Sequence, residues 1–197
     1  MIKEQTGKKI VDFFLYLILV AAFIYLILDS QNLYPPSTLL LVFLLVVIVK
    51  KFFKPSNFYM SLILLMAYLE IFGERYALGF YHIFFYYDKF LHIIFGVIIF
   101  LFAFDLIGRE KTGVSKISNY SLGLFTTMGV GAIWEIIEYS YDHLMNFNMK
   151  LQGVFSSGTL VMAGLDDTMW DLICMLIGIL FTIFLLYLSK YFRKNKK

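Results

Sequence analysis

The chain of 197 residues contains one cysteine, Cys174, three prolines and only 16% charged residues. A single cysteine excludes an intramolecular disulfide and a cysteine-based zinc cage, and leaves Cys174 as a small apolar packing group. The prolines stand at positions 35, 36 and 55, so most of the sequence is free of helix breakers. Internal repeats, low-complexity tracts and heptads are absent as well, which excludes a solenoid or a coiled coil. The scarcity of charge accompanies 60% hydrophobic and 19% aromatic residues and a mean hydropathy of +0.78. Such a composition excludes a soluble globular domain of this length.

What the sequence has in abundance is long apolar runs. Six are read, at 11–28, 38–53, 58–72, 90–107, 120–141 and 169–188. An α-helix needs about 20 such residues to cross about 30 Å of hydrocarbon. The expected fold is therefore all-α: a polytopic membrane bundle of about six transmembrane helices forming one domain over residues 1–197. The second and third runs are short, so their ends are the least defined. The first follows Lys8 and Lys9 but is long and lacks a small-x-small cleavage site before Asp29, which reads as an uncleaved first helix.

Basic residues set the orientation, because short loops rich in Lys and Arg stay in the cytoplasm. Lys3, Lys8 and Lys9 precede the first run; Lys50, Lys51 and Lys54 follow the second; Arg109, Lys111 and Lys116 follow the fourth; Lys190, Arg193, Lys194, Lys196 and Lys197 close the chain. All four clusters share one side, so both termini are expected to be cytoplasmic. The net charge of +3 is then a topology signal, with no nucleic-acid surface and the lipid bilayer as partner. Pro35 and Pro36 separate the first two helices, and residues 108–118 form a polar cytoplasmic turn. The external segment "GERYALGFYHIFFYY" reads as an interfacial aromatic belt. The longest loop, 146–166, contains "LQGVFSSG" and "TLVMAGL" and offers a hydrophobic cover that dips back over the bundle.

Three acid-bearing pairs interrupt the apolar runs. Asp88 and His92 open the fourth helix, Glu135 and Glu138 lie in the fifth, and Asp167 and Asp171 open the sixth. Spacings of four, three and four residues place each pair on one helical face. The topology brings all three to the same depth, about one or two turns below the outer boundary at about 1.5 Å per residue. Gly96, Gly131, Cys174 and Gly178 continue the same faces inward and allow close helix approach. Each acid in the membrane costs about 2.5–3.5 kcal/mol at mid-depth, so a cluster demands a proton, a cation or a basic partner. Solvation at the interface is the plain alternative. Glu70 and Glu74 lie near a loop, Arg75, Lys89 and Lys150 are the basic candidates on that face, and His82 and His143 read as interfacial.

In order along successive helices, "YDKFLHIIFG", "WEIIEY" and "GLDDTMWDLICMLIG" resemble the YjdF-type family of bacterial inner-membrane proteins and, more distantly, VanZ-type proteins. The resemblance spans residues 60–190 and rests on Asp88, Lys89, His92, Glu135, Asp171 and Gly178. It implies a multi-pass protein of the bacterial cytoplasmic membrane and no particular reaction.

From the residues themselves, carboxylates with one imidazole suit Mg²⁺, Mn²⁺ or Ca²⁺, or Zn²⁺ where His92 is a direct ligand. The candidate metal ligands are Asp88, His92, Glu135, Glu138, Asp167 and Asp171. In one reading the metal acts on a lipid or lipid-linked phosphate entering from the outer leaflet, with Glu135 or Glu138 as general base and Lys89 holding the anion. In another the acids form a proton or cation relay of a small transporter. In a third they lock helix packing in a non-catalytic scaffold.

Overall fold

The computed structural model describes residues 2–28, 34–69, 86–109, 113, 115–145, 152–156 and 159–194. They form six helices and one short hairpin: α1 (Ile2–Leu28), α2 (Tyr34–Phe53), α3 (Asn57–Tyr68), α4 (Tyr87–Arg109), α5 (Lys116–Met145), β1 (Gly153–Ser156), β2 (Thr159–Ala163) and α6 (Leu165–Lys194). The chain divides into two compact units, Met1–Phe80 and Tyr81–Lys197.

In the first unit the three helices meet along periodic apolar stripes. Val11, Leu15 and Ile18 of α1, Leu39, Val42 and Val46 of α2, and Met60 and Leu64 of α3 are buried, at the three- and four-residue spacings of helix packing. Asp12 of α1 pairs with Lys50 of α2, and Tyr68 of α3 donates to the carbonyl of Phe14 at 2.9 Å. The start of α2 differs from the sequence expectation. Helix α2 starts at Tyr34 and takes Pro35 and Pro36 into its first turn, where an amide has no acceptor within the helix and proline loses nothing. Helix α3 is described from Asn57 to Tyr68, and residues 70–72 of the run expected at 58–72 lie outside the described residues.

The second unit is a three-helix bundle. Among the described residues, three helical stretches are long and apolar enough to cross a membrane: Tyr87–Arg109, Lys116–Leu144 and Leu165–Phe192. Helices α5 and α6 extend beyond the runs expected at 120–141 and 169–188, because their polar first turns are helical too. Aromatic stacking fixes the direction of the helices. Phe104 near the end of α4 stacks on Tyr120 near the start of α5 with centroids 5.1 Å apart. Lys190 near the end of α6 donates to the Tyr120 hydroxyl at 2.9 Å. Helices α4 and α6 therefore run parallel, with α5 antiparallel to both. Arg109, paired with Asp105, lies with Lys116 and Lys190 at one end, and the acidic cluster of residues 88, 167 and 171 lies at the other.

Close backbone approach joins α4 to α6. A Cβ on Gly96 would strike the carbonyl of Met175, and one on Gly178 would strike the carbonyl of Ile93. At Gly131 of α5 the obstruction would be the Met175 thioether. Burial is inverted relative to a soluble protein. Phe125, Ile133, Ile136, Ile177, Phe181 and Phe184 are exposed, while Lys89, His92, Glu135, Glu138, Asp167 and Asp171 are buried. Apolar exteriors around a polar interior are what hydrocarbon surroundings favour.

The loop read as a hydrophobic cover contains an antiparallel hairpin, with Gly153 opposite Ala163, Ser156 opposite Thr159 and an irregularity between Val154 and Phe155. Gly164 ends it at φ +57, a left-handed conformation natural to glycine. Its amide donates to the Gln152 carbonyl at 3.2 Å, and its own carbonyl accepts from the Thr168 amide, so the turn also starts α6.

Candidate functional site

The acid-rich end of the second unit is organised by the first turns of α4 and α6. Parallel packing brings residues 88–92 against 167–171. The Lys89 ammonium group donates to Asp88 Oδ2 at 2.8 Å, Asp167 Oδ1 at 2.5 Å and Asp171 Oδ1 at 2.6 Å. Three carboxylates thus surround one cation, and an ammonium group has three protons to give. Lys89, read as a holder of a substrate anion, has its three donors engaged by aspartates in this structure.

His92 lies one turn deeper on the same face. Its Nε2 stands 3.6 Å from Asp88 Oδ1 and 3.6 Å from Asp171 Oδ1. One ligand atom from each of Asp88, His92 and Asp171 lies within 4.8 Å of the others, a grouping able to hold a metal ion. Donors 3.6 Å apart correspond to bonds of about 2.2 Å around a tetrahedral centre or about 2.5 Å around an octahedral one. The first lies near the upper end of the Zn²⁺ range and the second within the Ca²⁺ range of about 2.3–2.6 Å. Mg²⁺, with bonds of about 2.0–2.1 Å and strict octahedral geometry, would require contraction.

Of the other expected ligands, Asp167 is turned to Lys89, and Glu135 and Glu138 are buried on α5. Glu135 is 5% exposed, lies within electrostatic reach of Asp88, Lys89 and Asp167, and is bonded by Thr168. Its Oε1 nevertheless lacks a hydrogen-bond partner. A buried carboxylate oxygen without a donor is costly, and this carboxylate is within electrostatic reach of Asp88 of the triad and of Asp167. His143 is exposed at the end of α5 and stacked on Tyr139, in keeping with an interfacial role. Glu70, Glu74, Arg75, His82 and Lys150 lie outside the described residues.

Asp142, Gln152 and Thr168 were not read as site residues. Asp142 is buried and follows Glu138 by four residues, so helical spacing pointed to it. Gln152 and Thr168 carried no such signal, because their meeting depends on the hairpin. The Gln152 amide donates to Asp142 Oδ2 at 2.9 Å, and its side-chain Nε2 donates to Thr168 Oγ1 at 3.2 Å. Gln152 therefore ties the end of α5, the base of the hairpin and the first turn of α6 together. We expect Asp142→Ala to cost about 1–3 kcal/mol by stranding a buried amide, with Asp142→Asn, which keeps an acceptor, much milder. Thermal unfolding and proteolysis within the 146–166 segment, compared across the two variants, check this.

Residues 11–192 match the family described as "Predicted membrane protein (DUF2238)". No curated protein and no solved structure matches the chain. Its apolar helices and their exposed hydrocarbon-like faces, together with a match over nearly the whole sequence, establish that this chain belongs to the DUF2238 family of predicted membrane proteins.

Proposed function

We propose that this protein is a six-span protein of the bacterial cytoplasmic membrane, with both termini inside. In this reading it uses a divalent metal held by Asp88, His92 and Asp171 to act on a lipid or lipid-linked phosphate at the outer leaflet. The observation that carries the reading is the Asp88, His92 and Asp171 triad with the unpartnered Glu135 oxygen beside it. The imidazole ligand favours Zn²⁺, with Mn²⁺ next. Asp88, His92 and Asp171 would hold the ion, which would supply Lewis-acid activation; Glu135 would take a proton from the water that attacks phosphorus, as the bond to the lipid alcohol breaks and that alcohol leaves protonated. With Lys89 engaged, the metal itself receives the anionic group.

Transport has less support. Towards the basic end, the buried polar side chains among the described residues of the bundle are Thr127 and Thr182. Both donate to carbonyls of their own helices, at 2.7 and 2.8 Å, which offers no relay for an ion.

Elemental analysis of the detergent-purified protein tests the metal, and phosphate release from vesicles containing phosphatidic acid or a polyprenyl phosphate tests the reaction. Near-stoichiometric Zn²⁺ or Mn²⁺, with release lost in Glu135→Gln, is the expected result. Absence of bound metal after reconstitution with either ion would overturn the reading.

A further inference from the structure

Lys89 shares an atom with the metal triad. Asp171 Oδ1 lies 2.6 Å from the Lys89 ammonium nitrogen and 3.6 Å from His92 Nε2, so the same oxygen faces both the resident cation and the ion position. Asp88 divides its two oxygens in the same way, Oδ2 towards Lys89 and Oδ1 towards His92. The ammonium group also holds Asp167 Oδ1. Without a cation, Asp88, Asp167 and Asp171 would stand together in a low-dielectric interior, an arrangement that proteins avoid.

We propose that Lys89 is a tethered counter-cation. It compensates the aspartates while no metal is bound, and it weakens metal binding by sharing Asp171 Oδ1 with the incoming ion. This rests on the metal reading above and adds how the site is loaded. An ammonium group and a divalent ion on one carboxylate oxygen lie within about 5 Å of each other, where like charges repel strongly away from water. The metal therefore binds exchangeably. The bundle inserts and packs first, with Lys89 satisfying α4 and α6, and takes up its ion afterwards from the outer side. The Glu135 oxygen without a hydrogen-bond partner, within electrostatic reach of Asp88, offers an acceptor that is not itself bonded to Lys89.

The alternative role for Lys89 is orientation: a neighbour that aligns metal-ligating carboxylates raises affinity, and its loss costs about 10- to 100-fold. The two roles predict opposite signs. Zn²⁺ affinity and thermal unfolding, with and without Zn²⁺, are measured on the full-length wild type, Lys89→Met and Lys89→Arg. The expected result is Zn²⁺ binding about 10-fold tighter or more in Lys89→Met, loss of metal-free stability in that variant with restoration by Zn²⁺, and near-wild-type affinity in Lys89→Arg. Equal or weaker binding in Lys89→Met, while the wild type binds Zn²⁺, overturns the proposal and leaves the metal reading standing. Binding by Lys89→Met alone overturns the reading for the native protein but supports the counter-cation, and binding by neither overturns both. If Lys89→Met accumulates only with Zn²⁺ supplied, the proposal is supported. If it accumulates under neither condition, Lys89→Gln, which keeps donors for the aspartates without the charge, is read by the same affinity criterion.

Discussion

Replacing Asp171 by Asn should abolish metal-dependent stabilisation while leaving the metal-free protein folded. Asp171 is 2% exposed, and its Oδ1 faces both Lys89 and His92, whereas Asp88 uses a different oxygen for each. The amide keeps the shape and an acceptor oxygen for Lys89 but is a poor ligand for a hard divalent ion, so affinity should fall about 100-fold or more. At metal concentrations about 100 times the wild-type Kd, binding stabilises a native state by about 2.7 kcal/mol. The variant should show almost none of that increment. Without metal the sign differs, because the substitution reduces the excess of negative charge around Lys89 and removes a buried carboxylate that needs compensation. Thermal unfolding with added Zn²⁺ and with chelator separates the two effects. Equal Zn²⁺ stabilisation of wild type and Asp171→Asn would remove Asp171 from the ligand set.

The acidic cluster was legible in the sequence for a simple reason: charges within apolar helices have few places to go. Positions 88, 92, 167 and 171 stand out by four-residue spacing, and the positive-inside rule alone puts α4 and α6 in parallel. The structure brings those residues together. Less legible was the division of labour. Sequence spacing treats Asp88, Asp167 and Asp171 alike, whereas in three dimensions all three bond Lys89 and it is Asp88 and Asp171 that group with His92 as the triad. Lys89 adjoins Asp88, and a helix turns neighbours by about 100°, so periodicity gave no hint that its long side chain would return to the same cluster.

Helix ends were misjudged where hydropathy was the guide. The polar start of α6, "LDDT", is helical because Gly164 closes the hairpin and passes its carbonyl to the Thr168 amide. A hydropathy scan stops at the aspartates. The hairpin itself was hidden by brevity: strands of four and five residues joined to the bundle through Gln152 leave almost no periodic signal. These local contacts matter to the site, since Thr168 lies between Asp167 and Asp171 and bonds Glu135.

The site also depends on how closely α4 and α6 approach, and this yields a graded prediction across three glycines. Alanine at Gly96 or Gly178 would place a methyl group against the backbone carbonyl of the facing helix. A carbonyl within a helix cannot rotate aside, so the helices must separate. Overpacking of this kind costs about 1–3 kcal/mol, and in a membrane there is little hydrophobic gain between helices to offset it. Gly131→Ala meets only the end of the Met175 side chain, which can adopt another rotamer, and should cost clearly less. Unfolding in a denaturing detergent, scored for all three variants, should rank Gly178→Ala and Gly96→Ala well below Gly131→Ala. Gly178 faces the carbonyl of Ile93, the residue that follows His92. Separation there moves the imidazole away from Asp171, and a displacement of about 1 Å is enough to spoil a coordination geometry. Gly178→Ala should therefore lose metal affinity as well as stability, although it removes no ligand. A Gly178→Ala protein of reduced stability but wild-type Zn²⁺ affinity would show that the triad is not held by this helix contact.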